Sequence, residues 1–248
     1  SIYGQASSAS SELERILIQF PISDISSSRD SGSIPASGSV DFYVRMFNAK
    51  HSWTTPRDYS LSLCPVSRSW EEGLGLDMED YSDMDASNWV SASDGVAWTT
   101  PGGDYLTASA TCFSQAFGTG DEDLEVNVTP LVEAWLDGTI SNNGLGIKLS
   151  PTEESASQSY YTKMFFARGS QFFFKRPIVE ARWNNSKEDD RGNFFLSSSL
   201  VPAADNLMTL YMYNVVKGQL TDIPLVGTGT IFVSVYSGSS DNASASGP

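Results

Sequence analysis

The sequence has 248 residues, 40% hydrophobic and 12% aromatic, which is enough for one large domain or two modest ones and too apolar for a disordered chain. With 15 Lys and Arg against 30 Asp and Glu, the formal charge of −15 repels phosphate backbones and anionic lipid, so nucleic acid and membrane surfaces are excluded as partners. No apolar run reaches bilayer length, and Ser1-Ile2-Tyr3-Gly4 lacks the basic and apolar blocks of a signal peptide, so export does not apply or the start has been removed.

In chain order, the first expected strand spans residues 15–20, with Ile16, Ile18 and Phe20 inward and Arg15 and Gln19 facing water. The second spans 40–47, with Phe42, Val44 and Met46 inward and Asp41 and Arg45 outward. Strands at 59–66, with Leu61 and Leu63 inward, and at 105–113 follow. Residues 124–128 alternate apolar and polar side chains, and Thr129-Pro130 reads as an N-cap with Pro at the first helical position. Leu131 and Trp135, with Val132 and Leu136, form an apolar helix stripe that Gly138 ends. Asn142-Asn143-Gly144 supplies the positive φ angles of a tight turn and launches a strand at 145–149. Strands at 161–167 and 172–183 complete the set, with Pro65 and Pro177 at strand ends or edges because proline cannot donate to the ladder.

The polar run 184–193 is a linker between domains at 1–183 and 194–248. Beyond it, 207–216 and 229–236 are β-prone and begin a small second β domain that ends in a Ser/Gly-rich tail, too thin a core to be complete alone. Ser-rich stretches at 6–11, 26–39 and 237–247 read as loops or tails. The expected fold is therefore all-β: a jelly-roll-like antiparallel β-sandwich with one short helix, followed by the small second β domain.

The ordered set RILIQFPIS at 15–23, SWEEG at 69–73, LEVNVTPLVEAWLDG at 124–138 and RPIVE at 176–180 resembles a DNRLRE-type module, a β-sandwich of surface and cell-wall-associated proteins. The phrasing CPVSRSWEEGLG and FFFKRPIVEARW is similar to virion structural proteins of marine tailed phages, cyanophages included. The resemblance implies a virion location, other virion proteins and further copies of the chain as partners in a homo-oligomer, and a host surface glycan as a contact. The alternative it leaves open is a carbohydrate-binding module of a cell-surface or polysaccharide-active protein.

Catalytic patterns are missing. His51 stands alone, with no G-x-S-x-G nucleophile elbow in the sequence. Glu71 and Glu72 are adjacent on an extended segment and point to opposite faces, so they cannot flank a glycosidic bond. Gly102-Gly103 and Gly118-Thr119-Gly120 lack the helix and Lys of a phosphate loop. No enzyme activity and no cofactor are expected. The acidic cluster Asp77, Glu79, Asp80, Asp83 and Asp85 lacks the Gly and terminal Glu of a calcium loop and reads as a solvated loop; two Cys and one His make zinc improbable. Cys64 and Cys112 can form one disulfide, whereas assembly in a bacterial cytosol would leave both as buried thiols. The aromatic residues Tyr81, Trp89 and Trp98, in a long loop region, are the candidates for glycan contact, against the alternative of core packing. Phe165-Phe166 and Phe172-Phe173-Phe174 place rings on both faces of their strands, so Phe165 and Phe173 are the candidate interface residues.

Overall fold

The computed structural model describes residues 1–7, 11–50, 55–73, 86–184, 190–192, 199–206, 209, 211–216 and 219–221. His51, Tyr81, the acidic cluster at 77–85 and the expected strand at 229–236 lie outside the described residues. The chain divides into two compact units, Ser1–Asn184 and Asn185–Pro248.

The first unit runs β1 (Ile2–Ala6), β2 (Ser11–Glu14), β3 (Ile16–Ile18), α1 (Ser23–Asp30), β4 (Asp41–Met46), β5 (Tyr59–Pro65), β6 (Ser91–Ser93), β7 (Val96–Ala97), β8 (Phe113–Phe117), β9 (Leu124–Asn127), α2 (Thr129–Leu136), β10 (Leu145–Leu149), α3 (Pro151–Glu154), β11 (Ser159–Lys163) and β12 (Ile178–Arg182). Three antiparallel sheets build it, ordered β3-β10-β5-β8, β12-β4-β9 and β11-β1-β2, with β6-β7 as a separate hairpin. The architecture is an all-β sandwich, and among the described residues no sheet closes into a barrel. In the second unit the described residues contain a 3-10 turn, Asp190–Gly192, and the antiparallel pair β13 (Val215–Val216) and β14 (Gln219–Leu220).

Alternation places the core. In β4, Phe42, Val44 and Met46 are buried while Asp41 is exposed, and β5 buries Tyr59, Leu61 and Leu63. These residues meet Ile2, Phe117, Leu124, Val126, Leu145, Ile147 and Leu149 in one cluster drawn from all three sheets. The helix α2 seals it with Leu131, Val132 and Trp135, all buried. Its start differs by one residue from the sequence reading: Val128 is the N-cap and Thr129 already helical. The Asn127 Oδ1 accepts the Thr129 N–H at 3.0 Å, and the Thr129 hydroxyl oxygen accepts the Phe42 N–H at 2.8 Å, fastening the helix to β4. Gly138, at φ 78°, ends the helix in the left-handed region as expected. In the Asn142-Asn143-Gly144 turn only Gly144 has positive φ, at 82°.

Several expectations are corrected. The strand read at 105–113 is turn and coil with a single bridge from Tyr105 to Val66, and the strand itself begins at Phe113. The loop expected at 26–39 contains most of α1, and α3 adds a third helix where one had been read. No residue of the α1 helix is fully buried, but its own Ile25, with Ile22 before it and Ile34 after it, packs against the core, which is the apolar anchor that its Ser-rich sequence obscures. Arg15 does not face water: its guanidinium forks onto Glu154, both Glu154 oxygens lying within 2.9 Å. Cys64 and Cys112 are joined as a disulfide, with Cα atoms 4.4 Å apart, rather than present as thiols.

Candidate functional site

The stretch after β5 builds an aromatic cleft. The Val66 N–H donates to Gly144 O at 3.0 Å, and the Trp70 indole N–H donates to Asn143 O at 2.8 Å, so the segment is pinned to the turn before β10. The Asn88 Oδ1 accepts the N–H groups of Val90 and Ser91 at 2.8 and 2.9 Å, an Asx turn that opens the β6-β7 hairpin. Trp98 leaves the hairpin inward, 6% exposed, packs on Val66 and Ala92, and donates its indole N–H to Asn88 O at 2.8 Å. Trp89 remains 38% exposed.

Arg15 organises the wall behind Trp89. Its guanidinium carbon lies 4.9 Å from the Trp89 ring centroid and 5.8 Å from that of Tyr105, while Glu154 and Gly102 O take its N–H groups. Desolvation opposes the charge, but the Glu154 carboxylate outweighs it and holds the Arg15 pKa above its ordinary value. The cleft in front encloses about 550 Å³, with Glu14, Trp70, Glu72 and Asn88 on its walls. A ring offered beside carboxylates suits a ligand that presents an apolar face edged by hydroxyl groups.

A second cleft of about 830 Å³ shares Leu17, Trp70 and Glu72 with the first and runs along β3 to Phe165, Phe166 and Arg176. The exposed pair Arg168–Glu72, 3.1 Å apart, joins two of its lining residues. Beyond it the residues expected as strand form a 3-10 turn, Phe173–Lys175, closed by the Arg176 Nε donating to Ser170 O at 3.0 Å. Phe172, Phe173 and Phe174 are 52%, 66% and 88% exposed, and the β12 strand begins only at Ile178.

Of the five residues named from sequence, Trp89 and Phe173 are exposed, Trp98 and Phe165 are buried, and Tyr81 lies outside the described residues. Trp98, turned onto Ala92 by its hairpin, still lines the same cleft as Trp89, and Phe165, which continues the inward phase of Lys163, lines the second cleft. Glu71 uses its backbone N–H on Ala92 O at 2.9 Å, and its carbonyl accepts the Ser87 N–H at 2.9 Å. Among the described residues no group of three or more His, Cys, Asp or Glu is placed to hold a metal ion, and no helix is long and apolar enough to cross a membrane.

Sequence reading missed Lys163. It is fully buried, and its Nζ donates to Asn48 Oδ1 at 2.9 Å, Gly120 O at 2.9 Å and Glu122 O at 2.6 Å. The Phe117 and Phe165 ring centroids lie 4.7 and 5.2 Å from it. Desolvation pulls its pKa down to about 8 against the opposing pull of Glu122, Asp123 and Asp121. Burial alone would raise the Glu122 carboxyl, but the Thr119 and Gly120 N–H groups, at 2.7 Å each, bring it to about 2. The signal was a lysine in phase with Phe165 on an otherwise apolar strand face, a pattern that a charge count cannot register.

The chain matches no protein-family model, no curated protein and no solved structure.

Proposed function

We propose that the chain is a non-catalytic structural subunit of a tailed-phage virion, a fibre, tail, neck or capsid-associated block that self-associates and serves assembly and host contact. The observation that carries this reading is the Phe172-Phe173-Phe174 ridge, raised on a tight turn of the sandwich and exposed up to 88%. Holding such rings in water is unfavourable by about 25 cal/mol per Å² of apolar surface, a cost that a partner surface would remove. The DNRLRE-type order of motifs and the phage-like phrasing around residues 64–75 and 172–183 supply the particle context. Sedimentation of the purified chain tests it: concentration-dependent association is expected, and Phe173→Ser with Phe174→Ser is expected to leave monomers. A chain that stays monomeric, or a double variant that associates as before, overturns the reading.

A second reading, a carbohydrate-binding module, is favoured by the half-open Trp89 ring beside Trp70, Glu14 and Glu72. A glycan array distinguishes it. Binding that Trp89→Ala abolishes supports the module, and an array without signal removes it.

A further inference from the structure

We propose that Lys163 and Asn48 form an intramolecular amide crosslink, in which Lys163 Nζ bonds to the side-chain carbonyl carbon of Asn48 and the Asn48 amide nitrogen departs as ammonia. The geometry is that of a held nucleophile. Two backbone carbonyls, Gly120 O and Glu122 O, accept from Nζ at 2.9 and 2.6 Å, and the third acceptor is the Asn48 carboxamide oxygen, Oδ1, at 2.9 Å. A neutral amine has two N–H groups and one lone pair. In the charged amine the third N–H donates to Asn48 Oδ1; once that proton is shed the lone pair takes its direction, with the carbonyl carbon one bond beyond the oxygen. Three fixed acceptors hold the amine beside the carboxamide in one orientation.

The surroundings make the neutral amine accessible. Lys163 has no exposed surface and lies between the Phe117 and Phe165 rings. Desolvation brings its pKa to about 8, so an appreciable fraction is uncharged near neutral pH. Asn48 is fixed from two sides. It forms a β-bridge with Phe165, and its backbone N–H donates to Asp123 Oδ1 at 2.7 Å.

The step balances without a co-reactant. One C–N bond forms and one breaks, nothing is oxidised or reduced, and a proton shed by Nζ leaves on the ammonia. The Asp123 carboxylate, already at Asn48, is the group placed to relay that proton. The product keeps one N–H for the Gly120 or Glu122 carbonyl.

Intact mass spectrometry of the denatured full chain tests the crosslink. The expected mass is one ammonia below the value for the sequence with its Cys64–Cys112 disulfide, with a protease fragment that carries residues 48 and 163 on two joined peptides. Lys163→Met and Asn48→Ala are each expected to lack the joined fragment and the ammonia loss. Asp123→Ala is expected to remain partly unlinked, and linkage equal to the parent chain overturns its relay. A parent chain of full mass that trypsin cuts after Lys163 overturns the crosslink, and so does an ammonia loss mapped to other residues.

Discussion

Arg29 grips Glu133 with two parallel hydrogen bonds of 2.8 and 2.7 Å, joining α1 to α2 across 104 residues of chain. Both side chains are about one-fifth exposed, so the pair is neither solvated nor deeply buried.

The Arg29–Glu133 pair sets a pH dependence. The Arg29 hydrogen bond holds the Glu133 carboxyl below its ordinary value despite desolvation, so the folded protein binds that proton less readily than the unfolded chain. Its contribution is therefore complete above the unfolded carboxylate range and is lost as pH falls through the lower folded value. Discounted for exposure, Arg29→Met should cost about 1 kcal/mol at neutral pH. Urea melts at neutral pH and at pH ~3 check this: the difference between parent and variant should shrink in acid, and amides of residues 23–30 should exchange faster in the variant.

Trp135 tests α2 as the seal of the sandwich. It is 4% exposed, and its indole N–H has no hydrogen-bond partner. Trp135→Ala should cost about 3–5 kcal/mol in chemical denaturation, from lost transfer energy plus a cavity. Trp135→Phe should cost much less, because it removes an unpaired donor along with the ring volume. Trp89→Ala, at a surface position, should stay within about 1 kcal/mol.

The Cys64–Cys112 bond ties the last turn of β5 to the approach to β8, across a separation of 48 residues. Closing a loop of that length restricts the unfolded chain by about 4 kcal/mol in the chain-entropy account. Cys64→Ala with Cys112→Ala, or reduction of the parent chain, should lower the melting temperature by several degrees in calorimetry. An unchanged melting temperature would contradict the chain-entropy account for this loop.

Gly146 and Tyr105 form a fitted pair. A Cβ added at Gly146 would collide with the Tyr105 ring, which lies directly over that point of β10. The ring covers the gap that glycine leaves in the strand, and its hydroxyl donates to Gly102 O at 2.7 Å. Gly146→Val should displace Tyr105, loosen the wall behind Trp89 and cost about 1–3 kcal/mol. A crystal structure of the variant with Tyr105 unmoved would contradict this.

Elements governed by local pattern were legible in the sequence. Phe42, Val44 and Met46 of β4, Leu145 to Leu149 of β10, and α2 between Pro130 and Gly138 follow from alternation, helix phase and capping. Elements that depend on distant partners were not. The sequence SDISSSRD carries weak helix propensity, and α1 exists because Ile22, Ile25 and Ile34 reach the core and Arg29 finds Glu133. The run Phe172 to Phe174 has the composition of a strand, yet Arg176 closes it into a turn on Ser170 before Pro177. The site divided in the same way. Trp89 was accessible to reasoning about exposed aromatics, whereas the inward turn of Trp98 depends on Asn88, and the surroundings of Lys163 are assembled from residues 48, 117, 120, 122 and 165.

The bridge between Asn48 and Phe165 gives the first unit a mechanical seam. Under tension between β1 and β12, the hydrogen-bonded route passes from β1 to β11 over five paired residues and from β4 to β12 over five more. Between β11 and β4 the backbone bonds that continue it are Ala49 N–H to Met164 O at 2.8 Å and Phe166 N–H to Phe47 O at 3.0 Å. A stretching force therefore converges on that short stitch, and an amide between Lys163 and Asn48 would carry it there through a covalent bond, so that tearing would begin along the hydrogen-bonded strand pairs instead.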